Sequence, residues 1–137
     1  MNTHKVELGA KASRTQTISD QVIRAFADLT GDHNPIHLVD DYAADTRFGR
    51  RIAHGMIAAS LISATLANDL PGPGTVYLSQ TLQFKAPVYP GDTVTATVEV
   101  VDLRRGKPLA TLATTCTKQD GTLVLEGEAV VLFSQKN

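Results

Sequence analysis

An aspartate and a histidine five residues apart, Asp32 and His37, bracket the run His33-Asn34-Pro35-Ile36. The proline forbids a continuous helix through them, and the resulting turn can aim both side chains at one point. A carboxylate and an imidazole converging on one water molecule form a general acid/base pair, able to take a proton from that water and return one elsewhere. That is the equipment for adding water to a polarised double bond, or for removing it. A plainer reading stands beside it. Asp and Asn ahead of a proline are ordinary turn formers, so these residues alone leave the choice open.

A second chemical part lies at a helix start. From Ile52 to Asn68 the only ionisable side chain is His54, and Met56, Ile57, Leu61, Ile62 and Leu66 leave no charged face. Such a helix is buried. It is too short, and too rich in Ser and Thr, for a membrane span of about 20 apolar residues. If it begins around His54-Gly55, the N–H groups of Gly55 and Met56 lack intrahelical partners and sit at the positive end of the dipole. They suit an oxyanion, and Gly55 predicts an unobstructed approach for a substrate carbonyl. Water adding to the β-carbon of an α,β-unsaturated thioester pushes negative charge onto the thioester oxygen, where a preset donor is worth about 10²–10³ in rate. His54 reads better as a packed, hydrogen-bonded histidine at the helix start than as a second acid/base group.

The elements that must position these groups follow from periodicity. A short strand is expected near Ala12 to Ile18. Ser19 then caps a helix whose Val22, Ile23, Phe26 and Leu29 recur at helical spacing, and Gly31 ends it. Asp40 to Asp45 suggests another helical turn. Leu70-Pro71-Gly72-Pro73-Gly74 stops the buried helix. From Thr75 onward the period becomes two, most cleanly where Val94, Ala96, Val98 and Val100 alternate with Thr93, Thr95, Thr97 and Glu99. Turn signals at Pro90-Gly91-Asp92, Arg105-Gly106-Lys107 and Asp120-Gly121 separate four segments, which predicts an antiparallel meander. One buried helix and one curved antiparallel sheet imply an α+β domain, residues 1–137, in which the sheet wraps the helix.

Composition excludes several classes. The chain has 137 residues, 42% of them hydrophobic, enough for one domain with a real core. Thirteen basic and fourteen acidic side chains, without a basic block, argue against a nucleic-acid partner. The polar start from Met1 to Lys5 lacks a signal-peptide core and predicts a cytoplasmic protein. Cys116 is the one cysteine; it excludes an internal disulfide and, inside an alternating strand, reads as a small core side chain. A metal is not expected: Pro35 interrupts the helix that would align His33 with His37, and no HExxH or Cys pattern accompanies Asp32, His33, His37 and His54.

Asp32-x-Asn34-Pro35-x-His37, then Phe48-Gly49-Arg50-x-Ile52-x-His54-Gly55-Met56, then Phe84-Lys85-x-Pro87-Val88-x-x-Gly91-Asp92, resembles the MaoC-like, (R)-specific enoyl-CoA hydratases. The resemblance spans nearly the whole chain. It implies the hot-dog fold, a homodimer or larger assembly with both subunits shaping each acyl site, and cofactor-free hydration of trans-2-enoyl-CoA to (R)-3-hydroxyacyl-CoA. Carried over by position, it implies Asp32 and His37 as the catalytic dyad, the Gly55 N–H as oxyanion donor, Ser63 as a helix group that helps hold the dyad, and Val130 as a wall of the acyl pocket. Stereochemistry rests on the resemblance alone. A dehydratase acting on acyl-carrier-protein substrates is the runner-up, since its chemistry is the same run backward. A hot-dog thioesterase and a non-catalytic acyl-CoA-binding protein fit less well, because neither needs the dyad.

Helix geometry adds a reading of chain length. Gly55, Ala59, Ser63 and Leu66 share one helix face, so small side chains leave room near the reacting end and Leu66 floors it. That predicts acyl chains of about four to six carbons, since longer tails must displace packed side chains. Arg47, Arg50, Arg51 and Lys85 are candidates for the CoA phosphates, although a solvated loop explains them as well.

Overall fold

A computed structural model describes residues 5–134. The single-domain boundary expected at 1–137 and the polar start from Met1 to His4 thus lie partly or wholly outside the described residues. The elements run β1 (Lys11–Thr17), α1 (Asp20–Thr30), α2 (Pro35–Leu38), α3 (Asp40–Ala44), α4 (Gly55–Asn68), β2 (Val76–Gln80), β3 (Gln83–Phe84), β4 (Thr93–Leu103), β5 (Leu109–Lys118) and β6 (Leu123–Leu132).

The apolar alternation of β4 is realised: Val94, Ala96, Val98 and Val100 are buried, and the intervening threonines face outward. There Thr93, Thr95 and Thr97 meet Thr17, Thr15 and Ser13 of β1 in a ladder of hydroxyl hydrogen bonds at 2.8–3.0 Å. β4, β5 and β6 pair as the expected meander, but the full order is β1-β4-β5-β6-β2, with β3 also on β6. The first expected segment therefore splits in two and leaves the meander for the far side of β6. Gly127 permits this, because a Cβ there would lie 1.8 Å from the Thr81 carbonyl oxygen. The Thr81 N–H and hydroxyl in turn pair with the backbone of Glu128.

α4 packs against β1, β4, β5 and β6, so the antiparallel sheet curls around it in the hot-dog arrangement. Ile57, Ala58, Leu61, Ile62, Thr65 and Leu66 are buried, Thr65 by returning its hydroxyl to the Leu61 carbonyl. The helix is nonetheless exposed along Met56, Ser60, Ser63 and Ala67, where no strand among the described residues covers it. Leu29, expected on the buried face of α1, is 83% exposed; Ile23 and Ala27 carry that face. Cys116 is a core residue, its thiol pushed up to about 12 by burial. Among the described residues no helix is long and apolar enough to cross a membrane.

Candidate active site

The dyad is built from two helix caps. Ser19 accepts the Val22 N–H at the start of α1, and left-handed Gly31 closes it by donating to the Ala27 carbonyl, which releases the chain at Asp32. Asn34 then caps α2 by accepting the Ile36 N–H, and Pro35 takes the first turn, where its missing N–H costs nothing. Pro35 so begins a new helical turn as well as ending the old direction. That turn carries His37 inward.

Asp32 stays exposed, with Oδ1 accepting the Asn34 N–H at 3.2 Å. His37 is 8% exposed, and its Nδ1 donates to the Ile52 carbonyl at 2.7 Å. A carbonyl only accepts, so Nε2 is the nitrogen with a lone pair to offer. Burial is the main cause holding His37 below the ordinary imidazole value; the neighbouring His54 acts the same way, while the Ile52 bond and the Asp32 carboxylate oppose it. An Asp32 oxygen, a His37 nitrogen and a His54 nitrogen lie within 4.8 Å of one another. Among the described residues no direct hydrogen bond joins Asp32 to His37, and a gap of this kind is one a water molecule spans.

Three donors at such spacing could also hold a metal. His54, however, commits Nε2 to the Asp32 carbonyl at 3.0 Å, and its Nδ1 is sealed from solvent without a partner. That leaves two accessible donors, Asp32 and His37, short of the three protein ligands of a typical catalytic zinc. His33, the other histidine of the run, lies on the surface against Asp28 and the Gly31 carbonyl.

α4 begins at Gly55 as expected, with His54 at its N-cap, so the N–H groups of Gly55 and Met56 emerge beside the dyad. The space left by Gly55 is used differently from the expectation. A Cβ there would sit 2.8–3.4 Å from the Phe84 ring, so the glycine first of all admits Phe84. An apolar cavity of about 340 Å³ reaches His54 and Gly55 and is lined by Ile18, Ile57, Val88 and Val94, with Arg47 and Lys85 also on its wall. On the exposed side of α4 a groove of about 390 Å³ runs along Met56, Ala59 and Ser63 to Leu78 and Leu82 of the β2–β3 segment.

The remaining expected site residues scatter. Ser63 is exposed in that groove, two turns from Gly55, and makes no hydrogen bond to the dyad of its own chain among the described residues. Leu66 is 1% exposed and reaches neither space. Val130 is half-buried on β6. Its neighbours Ala129 and Val131 are fully buried, and strand alternation puts Val130 on the opposite face, so Val131 is the β6 residue turned toward α4.

Of the four basic candidates, Arg51 is spoken for. It is bound to Asp20 and Asp40 and also donates to the His37 carbonyl at 3.2 Å, clamping α1 and α3 onto the dyad turn. Lys85 pairs with Glu126 at 3.6 Å. Arg47 lies over the Phe48 ring and Arg50 over the Tyr89 ring, and among the described residues neither pairs with a carboxylate. The Arg51 clamp and the Phe84 cover went unread in the sequence, because their partners are distant along the chain and no spacing signals them.

Against known proteins, a family described as MaoC like domain matches residues 2–121. An (R)-specific enoyl-CoA hydratase of Rhodospirillum rubrum is 52% identical over 127 residues, covering 93% of this chain and 88% of that one. A 3-hydroxybutyryl-CoA dehydratase of Methylorubrum extorquens is 50% identical over 131 residues, covering 96% and 83%. Among solved structures, an (R)-hydratase from Aeromonas caviae involved in PHA biosynthesis superposes with a TM-score of 0.91 at 49% identity, covering 94% of this chain and 98% of that one. With the family matched over most of its length and such relatives along nearly all of it, the chain belongs to the MaoC-like family.

Proposed function

We propose that this chain is a hydro-lyase that adds water reversibly to trans-2-enoyl-CoA to give (R)-3-hydroxyacyl-CoA, with Asp32 and His37 as its catalytic dyad and no cofactor. The observation that carries the reading is the unbridged approach of the Asp32 carboxylate and the His37 imidazole beside the open N–H groups of α4. A water between two acceptors donates one hydrogen to Asp32 and one to His37 Nε2, which leaves an oxygen lone pair free for the substrate β-carbon. As the C–O bond forms, Asp32 takes a proton and the π electrons move onto the thioester oxygen, held by the Gly55 N–H. The enolate then collapses and the dyad returns a proton to the α-carbon, so the sum is one water added across one double bond. The apolar cavity and the apolar groove on either side of α4's first turn give a thioester lying across Gly55 room for both its arms. Arg47 and Arg50, paired with no carboxylate among the described residues, suit the CoA phosphates better than Arg51 or Lys85.

Leu66 lines neither the cavity nor the groove, but it is buried one turn beyond Ser63, and an acyl tail longer than about four to six carbons would have to displace it. The working unit is a homodimer in the cytoplasm. β2 is a sheet edge whose Val76, Tyr77 and Leu78 are 53%, 39% and 51% exposed, and Met56 of α4 beside it is 51% exposed. An apolar edge of this kind demands a cover, and a second copy offers the same strand. Ser63, in that groove and remote from its own dyad, then serves the dyad of the second copy.

The test is to offer crotonyl-CoA and the matching carrier-protein thioester, follow loss of the conjugated-thioester absorbance, and assign the product by a chiral assay. Hydration of crotonyl-CoA to the (R) product is expected. An (S) product, or turnover of the carrier-protein thioester alone, overturns the assignment. Light scattering should report a dimer.

A further inference from the structure

One buried histidine takes no part in the proton transfers above. His54 is 3% exposed and stands at the N-cap of α4, yet it makes no side-chain capping bond to that helix. Its ring turns the other way. Nε2 donates to the backbone carbonyl of Asp32 at 3.0 Å, across 22 residues of chain. One face of the ring stacks on His37, with centroids 3.9 Å apart and planes 29° from parallel, and Phe26 packs against it at 4.9 Å. Its Nδ1 remains as the one buried side-chain polar atom without a partner among the described residues. A phenylalanine would fill the same space without stranding a nitrogen, so packing alone does not account for histidine here.

We infer that His54 is a positioning residue, a strut that sets the Asp32 backbone and the His37 ring at their working separation and ties both to the oxyanion donors at Gly55. The inference rests on the dyad reading and deepens it. Asp32 sits in an exposed turn held by an Asx contact to Asn34 and by a 3.2 Å bond from its N–H to the Thr30 hydroxyl. Neither contact reaches the residues that lead into Gly55. The Nε2–H bond ties that turn to the residue just ahead of Gly55, and the stack ties His37 to the same residue, beside the bond of its Nδ1 to Ile52. Since His54 precedes Gly55 directly, any shift of the helix start is passed to both dyad members together.

Kinetics of the intact protein on crotonyl-CoA test this. His54→Phe keeps an aromatic ring for His37 and Phe26 but removes the donor to Asp32. His54→Gln loses the ring and keeps an amide N–H that reaches the Nε2 position. Displacing a catalytic group by about 1 Å costs around a hundredfold. Hence His54→Phe should lower kcat by about tenfold to a hundredfold with KM within twofold and an unchanged melting temperature, and His54→Gln should recover part of that loss, the remainder being the lost stack on His37. In an Asp32→Asn background, His54→Phe should cost nothing further, because the group it positions is gone. Wild-type kcat in His54→Phe overturns the inference, as does a folded His54→Gln no better than His54→Phe. If His54→Phe does not fold, the Gln variant is compared with His54→Asn, whose shorter amide cannot reach Asp32; equal kcat in those two overturns it as well. Asp32→Asn is the control that separates the two readings: an active Asp32→Asn removes the dyad itself, whereas an inactive Asp32→Asn beside a fully active His54→Phe removes the strut alone.

Discussion

The two ends of α4 are held by different physics. Toward the C-terminus, Ile62, Leu66 and, just past the helix, Leu70 are sealed at 0–1% exposure by apolar contact with the sheet. At the N-terminus two imidazoles are buried among the apolar side chains, and what holds them is directional: His37 to the Ile52 carbonyl, His54 to the Asp32 carbonyl, Arg51 to the His37 carbonyl. Apolar packing tolerates small displacements and resists unfolding, whereas hydrogen bonds to named carbonyls fix angles and contribute little net stability, about 1 kcal/mol each. Chemistry belongs at the end where angles are fixed. Substitutions at the two ends should therefore separate rate from stability.

The largest effect is expected at the dyad. Asp32→Asn removes the anionic acceptor, and His37→Asn deletes Nε2 while its amide N–H still reaches the Ile52 carbonyl from the Nδ1 position. General acid/base groups are worth about 10²–10⁴ in rate, and each variant should lose that much kcat on crotonyl-CoA while its melting temperature stays near wild type. Near-wild-type turnover in either folded variant would break the comparison at its more important end.

At the other end the sign reverses. Leu66→Ala should cost about 2–5 kcal/mol of stability by denaturant titration, since a fully buried leucine leaves a cavity that its neighbours refill only in part. Crotonyl-CoA turnover should persist, and kcat/KM for the eight-carbon enoyl-CoA should rise relative to it as the floor drops. An unchanged ratio would move the floor elsewhere, with Val131 the next residue to truncate. In the sheet, Gly127→Ala sets a methyl against the Thr81 backbone, which cannot swing aside as a side chain does. Overpacking of this sort costs about 1–3 kcal/mol. A Gly127→Ala protein as stable as wild type would show that the β2–β3 crossing is not pinned there.

What the sequence made legible follows the same division. The caps of α1, the limits of α4 and the alternation of β4 are local patterns, and the residues of each element carry them. Sheet order is not local: the threonines of β4 indicate an outward face without saying that β1 will meet it, and nothing in residues 75–89 announces the jump to β6. Within the site, the motif around Asp32 and His37 stood out because a proline between two ionisable residues is unusual, and Gly55 because it opens an uncharged helix. Arg51 joins two distant aspartates to the His37 carbonyl, and His54, legible as a packed, hydrogen-bonded histidine, bonds a carbonyl 22 residues away, so no local spacing names these partners. Val130 and Val131 are told apart only by the face each takes, and in a strand one residue is the difference between the two faces.

The smallest expected effect is on pH dependence, and it sharpens the polar end of the comparison. The dyad needs the His37 Nε2 lone pair; a proton there turns the acceptor into a donor and repels the water from its working orientation. Burial disfavours the charged ring, and the nearby His54 acts in the same direction, together outweighing the Ile52 bond and the Asp32 carboxylate, so the His37 pKa lies below its ordinary 6.5. A lowered value for a base means that the neutral form survives to lower pH. The kcat/KM profile, which reports groups of the free enzyme, should have the midpoint of its His37 acid limb below pH 6.5. Titration of the His37 ring by NMR in Asp32→Asn should show a further drop, because the carboxylate is the neighbouring charge that favours the imidazolium. An acid limb at or above 6.5, or a ring that titrates higher once Asp32 is neutralised, would mean that His37 is more open to water than its burial implies, and the water bridge between the two residues would lose its geometric basis.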